Sequence, residues 1–160
     1  MGFTERFDTF VCEGDSIACE LQGFRVVARI VRDDSPDAPD QRQDGFWPSL
    51  YINDPGFIGP GSGFRERFAK AQAEAEAVME AWRKDEWFYC GIVLTVSFDA
   101  IELDRFAASL WSIEANYPYS DNAYLTEAAR ELLPEALAAG RAVLARLAAR
   151  AGRRASEASL

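Results

Sequence analysis

The chain has 160 residues, the size of one ordinary domain, and its 49% apolar and 27% charged residues fall in the usual globular range, which excludes wholesale disorder. A formal net charge of −9 disfavours direct binding to nucleic acid phosphates or anionic lipid and favours basic protein partners or cations. The chain holds no histidine, which removes histidine triads, histidine general bases and mixed Cys/His zinc sites from consideration.

The acidity is uneven, with sums of −6 over residues 1–63, −1 over 64–98, −4 over 99–122 and +2 over 123–160. No apolar run approaches the roughly 20 residues of a membrane span. The opening MGFTERFDTF carries acids where a secretory leader is basic and then apolar, so a cytoplasmic location is expected. Cys12, Cys19 and Cys90 form no CxxC pair and are expected as free thiols, with no metal or cofactor.

From Asp8 to Asp33 the pattern reads as strands. Phe10, Val11 and Cys12 make a short first candidate, and SIACEL (16–21) and FRVVARIVR (24–32) flank Gln22-Gly23. Phe24, Val26, Ala28 and Ile30 alternate with Arg25, Val27, Arg29 and Val31, the period of a half-buried strand, and Gly23 supplies the positive φ of a tight hairpin.

Residues 33–63 hold five prolines, five glycines and six aspartates, a density that predicts an irregular acidic loop, its first half mobile and its second half packed through residues such as Phe46 and Trp47. Asp33, Asp34, Asp37, Asp40 and Asp44 lack the EF-hand spacing and its closing glutamate, so they read as a solvated charge run able to meet a basic partner. GFIGPGSGF matches neither GxxxxGK[ST] nor GxGxxG and reads as loop punctuation.

A helix is predicted from Phe64 to Asp85 with Ser62 as N-cap. Phe64, Phe68, Ala71, Ala75, Val78, Met79 and Trp82 form one stripe expected to lie across the sheet, while Glu74 and the other acids of this helix face outward, where they could mimic phosphates. The run from Trp87 to Leu103, WFYCGIVLTVSFDAIEL, predicts a central hairpin. Its turn at Asp99-Ala100 should be one or two residues longer, because alanine suits positive φ poorly, and Cys90 should be a buried, inert thiol.

SLWSIE (109–114) reads as a further strand of a meander, leading into the loop NYPYSDN (116–122). Glu114, Asn116, Tyr117, Tyr119, Asp121 and Asn122 gather polar and aromatic groups at a strand end, where binding sites form. The alternative, which weighs more, has Ser120, Asp121 or Asn122 capping the next helix and the tyrosines wedging it. Residues from about Ala123 to Ala151 are predicted helical, kinked at Pro134 or split there into two helices, with a frayed basic tail at 152–160.

The residues Glu86–Val93, Ile101–Asp104, Ser109–Pro118 and Ser120–Leu125 resemble a family of small acidic proteins carried on conjugative plasmids, integrative elements and phages of proteobacteria. The likeness covers roughly Asp8 to Leu144. No activity or catalytic residue is established for that family, so the resemblance implies only a genomic setting in which small acidic proteins counter host defences.

The expectation is therefore one α+β domain over 1–160: an antiparallel sheet of five or six strands covered by two helical elements. The expected function is non-enzymatic. A monomer or homodimer would block the basic, nucleic-acid-binding surface of a host defence protein in the manner of an anti-CRISPR or anti-restriction protein. Asp33, Asp34, Asp37, Asp40, Asp44, Glu74, Glu114, Tyr117, Tyr119 and Asp121 are the candidate contacts. The alternative is a small-molecule or enzymatic site at the 114–122 corner, with Glu114 or Asp121 as acid or base. A homodimer through the exposed aromatics of residues 46–58 is a third arrangement.

Overall fold

The structure is a computed structural model and describes residues 2–59 and 61–159. Four strands, β1 (Ser16–Leu21), β2 (Phe24–Arg32), β3 (Phe88–Phe98) and β4 (Ile101–Ala115), form an antiparallel sheet in the order β1-β2-β3-β4. Between β2 and β3 come the short helix α1 (Pro39–Arg42) and α2 (Phe64–Arg83), and α3 (Ala123–Ala158) follows β4. The α+β class stands, with four strands and three helices in place of five or six strands and two helical elements.

The two missing strands have different causes. Phe10–Cys12 forms no strand. The segment before β1 instead inserts Phe3, Phe7 and Val11 into the core and is tied to α3, with Phe7 N–H donating to Thr126 Oγ1 at 3.0 Å. The predicted pieces 101–103 and 109–114 are one 15-residue strand pairing with the 11 residues of β3, and bulges opposite Gly91, Thr95 and near Val96 absorb the excess. Bulges leave no period-2 signal, which is why the strand looks broken in sequence.

Both hairpins turn on two residues at positive φ: Gln22-Gly23 as predicted, and Asp99-Ala100 at 49° and 64°. The longer second loop is corrected, because the ladder on either side, Phe98 opposite Ile101, holds Ala100 in a conformation it does not prefer alone.

One sheet face, carrying Ile17, Val26, Ala28, Ile30, Cys90, Ile92, Leu94 and Val96, is covered by α3. At Gly140 the helix approaches the sheet closely, since a Cβ there would sit 3.0 Å from both Phe24 and Val96. Burying this face at roughly 25 cal/mol per Å² of apolar surface is the main drive for the fold. α3 stays helical through Pro134 and on past Gly152 to Ala158, so no break into two helices occurs and the tail is helical where fraying was expected. Its last turns are rich in alanine and arginine, strong helix formers, and lie exposed.

α2 does not lie across the sheet. It buries only Ala75 and Met79, because α3 already covers the core face and an alanine-rich stripe has little apolar surface to bury. Gly63, at φ 74°, takes the N-cap position given to Ser62. The 33–63 segment is less irregular than predicted: it contains α1 and a bridge between Ser49 and Phe57. Among the described residues no helix is long and apolar enough to cross a membrane.

Candidate functional site

Because α2 stands away from the sheet, its small-residue face is left as one wall of a groove. The opposite wall is the corner after β4, Asn116 to Tyr119, and Phe46 and Trp87 line it as well. The groove encloses about 1010 Å³, with Ala71, Ala75 and Val78 from α2 facing Tyr117, Pro118 and Tyr119. Lys70, Glu74 and Glu86 add charges to its lining.

Trp87 joins the two walls. It is fully buried, and its indole N–H donates to the Val78 carbonyl of α2 at 2.9 Å. Its ring meets Tyr117 edge-on at 5.0 Å and 68°, and Tyr89 at 5.3 Å and 78°. Beyond this aromatic row lies a smaller chamber of about 160 Å³, which shares Gln43, Phe46, Trp87 and Tyr117 with the groove and adds Pro39, Arg42, Tyr89, Ser112 and Glu114. The Arg42 guanidinium sits over the Tyr89 ring, 4.5 Å from its centroid. Burial pushes the half-buried Glu114 carboxyl above its usual range, an effect that the nearby Arg42 charge partly offsets. Burial raises the Tyr89 and Tyr117 hydroxyls too, an effect that the Arg42 hydrogen bond and charge partly offset at Tyr89.

The corner owes its shape to two asparagines. Asn116 and Asn122, at φ 61° and 63°, occupy the left-handed region that asparagine tolerates. The fully buried Asn122 accepts from Asn116 N–H at 2.8 Å, and its amide donates to Asn116 Oδ1 at 2.9 Å and to the Thr9 carbonyl at 3.0 Å. Asn116 in turn exchanges two 2.8 Å bonds with the Val11 backbone. The start of α3 is held by Asp121, whose Oδ1 accepts from Ala123 N–H at 3.0 Å, while Asn122 makes no side-chain cap. Tyr124 Oη donates to the Glu114 carbonyl, closing the corner from below. The corner is thus structural in its asparagines, and Tyr119 points fully into solvent.

The ten candidate residues separate into groups. Glu74, Tyr117 and Tyr119, from two distant parts of the chain, converge on the groove, and Glu114 and Tyr117 line the chamber. Asp40 and Asp44 line an adjoining hollow of about 490 Å³ within the 40–56 loop, where Asp40 accepts from the Trp47 indole at 3.4 Å. Asp34 is exposed and paired with Arg32 at 3.0 Å, Asp37 is exposed, and Asp121 belongs to the start of α3.

Asp33 is buried and turned inward. It accepts from Ser35 N–H at 3.0 Å, from Ser35 Oγ at 2.6 Å and from Ser112 N–H at 2.9 Å, pinning the end of β2 to the bulge of β4. Burial alone would raise its pKa, but these hydrogen bonds outweigh burial and hold the carboxyl below its ordinary value.

Trp87, Tyr89 and Arg42 are site residues that sequence reasoning missed, and Phe46 enters it only as one of the 46–58 aromatics. The sequence reads Trp87 and Tyr89 as part of the core hairpin, although they alternate with Phe88 and Cys90 and so face away from α3. Arg42 had a signal of its own, being the single Lys or Arg between residues 33 and 63. Cys90 lies on the opposite face of the sheet, its thiol pushed up to about 12 by burial. Among the described residues no group of three or more His, Cys, Asp or Glu is placed to hold a metal ion. Comparison with protein families, with characterised proteins and with solved structures finds no match for this chain.

Proposed function

We propose that this protein is a non-enzymatic interaction module that seats a basic, apolar-bearing segment of a partner in the groove between α2 and the 116–119 corner. The observation that carries the reading is the convergence of Glu74, Tyr117 and Tyr119 on one groove in a chain of net charge −9. An exposed tyrosine at the lip and an apolar floor supply desolvated contact, while the surrounding acids steer a basic surface and reject phosphate. With the mobile-element setting implied by the resemblance, the partner is the nucleic-acid-binding surface of a host defence protein, and the protein acts in the cytoplasm by occupying it.

The test is stoichiometric binding to a purified restriction nuclease or CRISPR surveillance complex, measured across a salt series. Binding should weaken steeply with salt, and Glu74→Lys and Tyr119→Ala, both at exposed positions, should each weaken it about tenfold, or about 1.4 kcal/mol. Salt-independent association, or tight binding to DNA itself, would refute it.

A second reading has an observation of its own. Glu114 is a half-buried carboxyl of raised pKa in a concave chamber, as an acid–base residue would be. The chamber volume, about 160 Å³, is well below the roughly 300–1,000 Å³ of small-molecule sites, which favours the interaction module. Turnover of a small substrate that disappears in Glu114→Gln would reverse the preference.

A further inference from the structure

The chamber beside the groove has a composition that neither core packing nor groove binding requires. Tyr89, Trp87 and Tyr117 stand edge-to-face in a row, Phe46 closes the space, and one carboxylate, Glu114, lines it. Aromatic faces with a single partly desolvated carboxylate form a receptor for a planar cation. A guanidinium stacks on rings and presents fixed donors to a carboxylate, whereas an ammonium is a compact, strongly hydrated charge.

The chamber already holds such a group. Arg42 lies over Tyr89 at 4.5 Å, yet Arg42 and Glu114 do not close into an ion pair. Its side chain is held through Tyr89, whose hydroxyl it also reaches as a donor. Arg42 is exposed and ends a four-residue helix that has no side-chain cap, on the loop that also supplies Phe46 to the groove.

We propose that the chamber is an arginine-reading pocket in which Arg42 is a built-in stand-in that an arginine of the bound partner displaces to reach Glu114. This rests on the groove reading and sharpens it: the partner segment carries an arginine that enters the chamber while its neighbours lie along α2. Displacement releases Arg42 to solvent, so the net affinity for arginine in the native protein is set by the difference between two similar contacts. Removing Arg42 therefore unmasks the pocket.

The test titrates the full chain and Arg42→Ala with two blocked pentapeptides, Gly-Gly-Arg-Gly-Gly and Gly-Gly-Lys-Gly-Gly. The readout is the NMR shift of the Trp87 indole N–H and the Tyr89 ring. Arg42→Ala should bind the arginine peptide at least tenfold more tightly than the native chain and prefer it over the lysine peptide at least fivefold. Arg42→Ala/Glu114→Gln should lose most of that gain, with an unchanged melting temperature reporting an intact fold. Equal binding by the native chain and Arg42→Ala, or equal affinity for the two peptides, overturns the assignment. The salt series with Glu74→Lys and Tyr119→Ala reads the groove separately, so a groove that binds its partner while the chamber ignores arginine overturns the arginine pocket alone.

Discussion

Replacing Asn122 by alanine tests whether the 116–122 corner is held by its buried amides. The substitution removes bonds at 2.8, 2.9 and 3.0 Å and a longer one to the Asp8 carbonyl at 3.5 Å, and leaves Asn116 N–H and the Thr9 carbonyl without these partners in a partly buried setting. Each hydrogen bond lost in this setting costs about 0.5–1.5 kcal/mol. Alanine at φ 63° adds about 1 kcal/mol, because its Cβ crowds the following carbonyl where asparagine is better tolerated. The expected loss is about 3–5 kcal/mol, and at about 2–4 °C per kcal/mol for a chain of this size the melting temperature should fall by about 6–20 °C. Thermal and urea unfolding followed by circular dichroism measure it. Asn122→Gly serves as the control, losing the same bonds but relieving the backbone, and should be less damaging than alanine by about 1 kcal/mol. A loss below about 1 kcal/mol for alanine would show that the corner stands without this network, and glycine as damaging as alanine would refute the backbone share.

Asp33→Asn should destabilise the protein by about 1–3 kcal/mol at neutral pH through the weakened bonds to Ser35 and Ser112. Because the folded pKa of Asp33 is lowered, its contribution is present above the unfolded value of about 3.9 and disappears as pH falls through the folded value, so the urea midpoints of native and variant should converge in acid. Gly91→Ala places a Cβ 2.3 Å from the Trp111 ring and should destabilise by about 1–3 kcal/mol. The penalty should vanish in a Trp111→Ala background, and its persistence there would mean that Trp111 is not the obstacle. Cys90, with its thiol pushed up to about 12, should resist alkylation at about pH 8 until the chain is unfolded, whereas the exposed Cys12 reacts at once, as mass spectrometry of the modified peptides will read.

The parts of the fold that were legible in sequence are those whose signal is local. Residues 24–32 alternate cleanly because one side faces α3 and the other does not, and Gln22-Gly23 marks its own turn. The Phe64–Arg83 helix and the C-terminal helix were legible from their 3.6-residue period. The same period said nothing of what the α2 stripe faces. A stripe of alanines is consistent with a seam or with a groove wall, and only the placement of α3 on the sheet decides between them. The corner behaved similarly. Its composition announced something unusual at 116–122, but Asn122 serves the buried network while Asp121 holds the start of the helix.

By itself, then, the sequence determined the α+β class, the sheet-forming stretches, the two long helices, the strong negative charge and the burial of Cys90, because each follows from periodicity or composition. Only the tertiary structure decided that β4 is one bulged strand, that Asp33 turns inward, and that Glu74, Tyr117 and Tyr119 line one groove with Arg42 over Tyr89 beside it. Those outcomes depend on residues tens of positions apart, and which distant groups share a surface is fixed by α3 taking one face of the sheet while α2 stands clear of it.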